Sequence, residues 1–113
     1  MESQVKLNEK RKQDLEKWEQ LLPESYKGLK GIMQPAYTDG VLSARVKRLM
    51  CLAIALGIGC TNCVLAQFYG ARATGATKEE FLETLAVATA MRGTSGVAES
   101  LRVIELMDEL GML

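Results

Sequence analysis

A chain of 113 residues with 48% hydrophobic and 25% charged side chains is most simply one folded domain, residues 1–113. Its 14 basic and 14 acidic residues cancel, so no nucleic-acid or anionic-membrane partner is expected, and nothing in the charge opposes self-association. There is no histidine, which excludes a Ser-His-Asp triad, a Cys-His dyad and any histidine-ligated metal, and removes the commonest general base near neutral pH.

The first element predicted is a charged helix over about 3–22, with a narrow apolar stripe of Leu15, Trp18, Leu21 and Leu22 at helical spacing. Acids and bases are mixed along it, which makes a solvated face the simpler reading and a basic arm for RNA the sharper one. Charge at the N-terminus in place of an apolar signal core points to a cytoplasmic home. Pro23 suits the first position of a new helix, with Glu24 in its first turn. Tyr26 to Gln34 is weakly helical, interrupted by Gly28 and Gly31, and Pro35 with Thr38-Asp39-Gly40 reads as a loop.

Ser43 is a candidate cap for a helix running to about Leu56. Val46, Leu49, Met50, Ala53, Ile54 and Gly57 follow helical spacing and are its predicted interior face. The apolar run Leu49 to Ile58 is too short to span a bilayer. Cys51, without a cysteine partner at disulfide-like spacing, reads as a small packing residue. After the glycine turn, a helix from Cys60 to about Thr74 turns Val64, Leu65, Phe68 and Ala71 inward, and Gly75 ends it. Thr77 and Glu80 form a capping box for a helix whose inward residues are Phe81, Leu82, Leu85, Ala88 and Met91. Gly93 to Gly96 reads as a loop, followed by a last helix facing inward with Val97, Leu101, Ile104, Met107 and Leu110 and stopped at Gly111. No strand pattern appears, so the fold class is all-α.

The chemistry concentrates in Gly57-Ile58-Gly59-Cys60-Thr61-Asn62-Cys63. Spacing of i and i+3 at a helix start brings two thiols within disulfide reach, and the unpaired N–H groups there favour a thiolate. In a reducing compartment such a pair is more often redox-active or metal-binding than a structural staple. Zinc needs four ligands, and one chain offers only Cys60, Cys63 and Cys51, so a metal would have to bridge subunits; no metal and no cofactor is expected. An inert pair is the remaining alternative.

The stretch from Leu42 to Ala90 resembles the core of the carboxymuconolactone decarboxylase and alkylhydroperoxidase D-like family. The likeness rests on the helix before the glycine turn, on Cys60-Thr61-Asn62-Cys63, on the segment Ala71 to Glu80, and on the Glu83-Thr84-Leu85-Ala86 helix that follows. It implies a bundle of about six helices around a central antiparallel hairpin, assembled as a trimer or hexamer. The thiol branch of that family reduces peroxides through an intramolecular disulfide, with the second cysteine, here Cys63, attacking. Its proton relay uses a glutamate twelve residues before the first cysteine and a histidine four after the second; those positions here hold Arg48 and Gln67. Both lie equally far from the glycine turn, so antiparallel packing brings them together near the thiols. Arg48 offers a fixed charge and Gln67 hydrogen bonds, but neither shuttles a proton. Glu83 is a candidate replacement carboxylate if its helix crosses the site.

The expected activity is therefore reduction of a peroxide or disulfide substrate by Cys60 and Cys63, with Arg48 tuning and Gln67 orienting the thiolate and an unidentified thiol as electron donor. Two rivals stand beside it. One is a lactone decarboxylase, disfavoured by the absent histidine and the present cysteine pair; the other is a non-catalytic helical oligomer or binding module with a vestigial site.

Overall fold

In the computed structural model, which describes Met1–Leu113, every regular element is a helix. They are α1 (Gln4–Leu21), α2 (Pro23–Ala36), α3 (Ala44–Ile58), α4 (Thr61–Ala73), α5 (Lys78–Arg92) and α6 (Thr94–Glu109). The boundaries follow local chemistry. Ser3, Ser43 and Thr77 each accept a backbone N–H at their helix start, and Thr77 with Glu80 forms the reciprocal box. Gly59, Gly75, Gly93 and Gly111 take positive φ where helices end. Two expected loops are shorter than the sequence suggested. α2 runs on through Pro35 in its last turn, and α6 begins directly after Gly93.

α3 and α4 form an antiparallel hairpin against which α5 and α6 pack as a second pair. Leu52, Ala55 and Leu56 of α3 meet Val64, Leu65, Phe68 and Ala71 of α4, Phe81, Leu85 and Ala88 of α5, and Val103, Leu106 and Met107 of α6 in one core. Phe68 stacks on Phe81 with ring centroids 4.5 Å apart, and each aromatic buried there contributes roughly 1.5–3 kcal/mol. α5 and α6 approach closely at Gly96, where a Cβ would stand 2.8 Å from the Ala88 carbonyl oxygen. α1 crosses α4 and α6, and α2 folds back along α1.

The face predicted for α4 is the buried one, Phe81, Leu85 and Ala88 of α5 and Met107 of α6 are buried as predicted, and the remaining predicted faces need correction. On α3 the core side is Leu52, Ala55 and Leu56, while Val46, Met50, Ile54 and Gly57 are exposed. Leu82 and Met91 of α5 and Val97 and Leu101 of α6 are exposed as well. α3 is apolar nearly all round beyond Arg48, so a period of 3.6 fits either side equally well. On α1 the expected stripe is also open, since Leu15, Leu21 and Leu22 are exposed and the buried residues are Gln4 and Asn8. Polar partners explain that inversion. Glu109 of α6 accepts from Ser3 Oγ and from the Gln4 and Val5 amides, and Arg102 donates to Gln4 Oε1. These bonds hold the Glu109 carboxyl below the usual range, chiefly through Ser3.

Candidate active site

The glycine turn is built to place two sulfurs. Gly59 adopts φ +72°, and the Gly59 and Cys60 amides both donate to Ala55 O, closing the end of α3. Arg92 reaches across from α5 to donate to Leu56 O at 2.7 Å, satisfying a second terminal carbonyl. Cys60 is the N-cap of α4, so the helix begins at Thr61, one residue later than predicted from the sequence, and the Cys60 Sγ accepts the Cys63 N–H at 3.3 Å. The Cys60 and Cys63 sulfurs stand at disulfide-bonding distance, on Cα atoms 5.2 Å apart.

The two cysteines are not equivalent. The capping amide points at Cys60, so hydrogen bonding and the helix N-terminus favour negative charge on that sulfur. Cys63 faces a cleft of about 590 Å³ between α4 and the α1–α2 hairpin. Leu7, Leu15 and Trp18 of α1 and Leu29 of α2 supply its apolar wall, with Ala66 and Gln67 beside Cys63 on the opposite side. Trp18 is held edge-on against Tyr26 of α2 with centroids 6.3 Å apart. Cys51 is partly buried and unpaired on α3.

Arg48 and Gln67 are brought into one cluster through Tyr37, the residue that ends α2. The Arg48 guanidinium lies over the Tyr37 ring, 3.8 Å from its centroid, and Gln67 Nε2 donates to the Tyr37 hydroxyl at 3.0 Å. Arg48 Nη2 also approaches Ala66 O at 3.5 Å. The other side of the guanidinium rests against α4 at Gly70, where any Cβ would overlap it. Neither Arg48 nor Gln67 hydrogen-bonds a sulfur, and buried Arg48 Nε and Gln67 Oε1 have no protein partner. Glu83 is exposed on α5 and lines no part of the cleft above Cys63.

Three contributors escaped sequence reasoning: Tyr37 as the link, Gly70 as the seat, and Arg11 over the cleft. Arg11 Nε donates to the buried Asn8 Oδ1 at 2.9 Å, and burial lowers its guanidinium below the ordinary value, a nearby Tyr69 opposing the shift. The small residue at 70 was the available signal for a close approach, though spacing alone named no partner.

A hairpin with two cysteines at its turn, crossed by two further helices, can be compared with known proteins. The profile of the carboxymuconolactone decarboxylase family matches residues 23–106, from the start of α2 into α6. The chain belongs to that family. The crystal structure of an apo carboxymuconolactone decarboxylase family protein from Legionella pneumophila superposes with a TM-score of 0.88 at 27% identity, over 96% of this chain and 97% of that one. An uncharacterised protein of Cupriavidus necator is 34% identical over 91 residues, 80% of each chain. Uncharacterised protein 4 in the cox locus of Paracoccus denitrificans is 34% identical over 74 residues, 66% of this chain and 67% of that one. The likeness to the family thus extends beyond the Leu42–Ala90 core, through α2 and most of α6.

Proposed function

We propose that the protein is a thiol-dependent oxidoreductase in which Cys60 and Cys63 cycle between dithiol and disulfide, reducing a hydroperoxide or a protein disulfide. The observation that carries the reading is the pair itself: two sulfurs at bonding distance, one capping a helix and the other opening on a cleft. Exposure to the cleft, with the order that the family resemblance implies, makes Cys63 the attacking sulfur, while the amide bond to Cys60 makes that sulfur the better leaving thiolate in the reductive half. In the reduced state the Cys63 thiolate attacks the peroxide oxygen, the O–O bond breaks, and the alcohol leaves after taking a proton from water. Cys63 is then a sulfenic acid, and the Cys60 sulfur displaces hydroxide from it, giving the disulfide and, with a proton, water. An external dithiol donor returns two electrons. Its thiolate attacks Cys63 from the cleft, Cys60 leaves as a thiolate held by the Cys63 amide, and the donor's second thiol releases Cys63. A protein disulfide enters by the same attack, giving a mixed disulfide in place of the sulfenic acid.

Arg48 and Gln67 cannot relay protons, and water in the open cleft takes that part. A cytoplasmic location, where thiol donors keep the pair reduced, suits this cycle. Apolar residues left uncovered on α3 and α5, with Ile54 62% and Met91 83% exposed, suit burial against further copies in a homo-oligomer. The test is thiol-dependent hydroperoxide turnover by the Cys63→Ser variant: loss of turnover is expected, and unchanged turnover refutes the cycle.

A second reading is favoured by the absence of any bond from Arg48 or Gln67 to sulfur. In that reading the chain is a non-catalytic helical assembly, and a double Cys→Ser variant would keep its full cellular role.

A further inference from the structure

The cleft above Cys63 carries a charge distribution that the redox reading does not use. Its wall of Leu7, Leu15, Trp18 and Leu29 is apolar, and its volume of about 590 Å³ lies within the roughly 300–1,000 Å³ of small-molecule sites. Three charged side chains line it. Lys10 and Asp14 are paired with each other at 2.9 Å, so they neutralise one another locally. Arg11 has no carboxylate within ion-pair distance. Its Nε is fixed on Asn8, which is almost fully buried, while its Nη groups make no hydrogen bond to the protein.

Arg11 also borders the neighbouring cleft, which holds Lys12 and Arg48 against Glu16 and Glu19. The two acids there oppose the two bases, so that cleft is no better a place for an anion. Arg11 stands where the two meet, oriented and without a counter-charge, at one side of an apolar wall whose other side carries the reactive sulfur. A partly desolvated guanidinium in this state is completed by a planar anion accepting two N–H bonds.

We propose that this cleft binds an amphipathic carboxylate, with its apolar chain along Leu7, Leu15, Trp18 and Leu29 and its carboxylate on the Arg11 guanidinium. Combined with the thiol reading on which this extension rests, the substrate class is the hydroperoxide of such an acid, presented to Cys63. Arg11 is then the residue that selects acids over uncharged hydroperoxides. Trp18 is the chain's single tryptophan and lies in the wall, so its fluorescence reports occupancy without any need for turnover.

The experiment titrates the whole reduced protein with octanoate and, separately, with 1-octanol, following Trp18 emission. Octanoate is expected to bind at least about tenfold more tightly, with a preference that shrinks as salt is raised. In Arg11→Gln the preference falls to within about twofold, and Arg11→Lys, which keeps the charge but not the fork, retains part of it. Equal affinities in the wild-type protein, a preference insensitive to both salt and Arg11→Gln, or no saturable binding of octanoate would overturn the proposal. The salt series keeps the test decisive even if Arg11→Gln unfolds through its lost bond to Asn8. Octanoate binding in this pattern without thiol-dependent turnover leaves the ligand site standing and removes the redox reading. Turnover of an uncharged hydroperoxide without octanoate binding does the reverse.

Discussion

Replacing Gly70 by alanine should stabilise the protein by less than helix propensity says, or not at all. Gly70 lies inside α4 with ordinary negative φ, so alanine there is worth roughly 1 kcal/mol in an unobstructed helix. The space that a Cβ needs is filled by the Arg48 guanidinium, with three of its atoms in the way. Arg48 must therefore leave the Tyr37 ring, forfeiting a cation–π contact of about 0.5–2 kcal/mol. The bond to Ala66 O, at 3.5 Å, is at the limit of useful length and adds little. The two effects oppose each other, so Gly70→Ala alone is expected to lie between about 0.5 kcal/mol stabilising and about 1 kcal/mol destabilising. In an Arg48→Ala background the obstruction is gone and the same change should stabilise by about 1 kcal/mol. Equilibrium urea unfolding of the four proteins at one fixed concentration measures the cycle, and a coupling of about 0.5–2 kcal/mol is expected. Equal stabilisation by Gly70→Ala in both backgrounds would refute the seating of Arg48 on α4.

Other consequences are open to similar measurement. Gly59→Ala forces a side chain into φ +72° at the end of α3, with the Glu99 carboxylate in ordinary contact at 3.5 Å; a loss of roughly 1–2 kcal/mol in urea unfolding is expected, chiefly conformational. Thr77→Ala removes one half of the capping box of α5 and should cost about 1 kcal/mol by the same assay. Glu109 has its carboxyl lowered by Ser3 and the α1 amides, so its contribution is fully present above its ordinary value of 4.5 and is lost as pH falls through the lower, folded value. Acid titration of Trp18 emission should show α1 loosening in that range, and Glu109→Gln should reduce that change, the lowered Asp14 carboxyl on α1 accounting for what remains; an unchanged titration in the variant would show that Glu109 does not hold α1.

How far the sequence reaches is clearest at its helix ends. Ser43, the Thr77–Glu80 box and the glycines after α3, α4 and α6 are local devices, each acting on backbone within a few residues. The equal spacing of Arg48 and Gln67 from the turn is nearly as local, because a hairpin has one geometry once its turn is set. Gln4 and Asn8 show where this stops. Their burial depends on Glu109, Arg102 and Arg11, two of them about a hundred residues away, and no pattern within α1 announces it.

The sequence by itself determined six helices, the caps of α3 and α5, and two cysteines set at the start of α4, because backbone hydrogen bonding and capping are short-range. Only the tertiary structure decided which side of α3 meets the core, because an apolar face at helical spacing carries no address when the opposite face is apolar too. It alone laid α1 and α2 over Cys63 to make a cleft, joined Arg48 to Gln67 through Tyr37, and left Arg11 without a counter-charge. Those contacts depend on how separate helices cross, and that is fixed by the joint packing of all six rather than by any one of them.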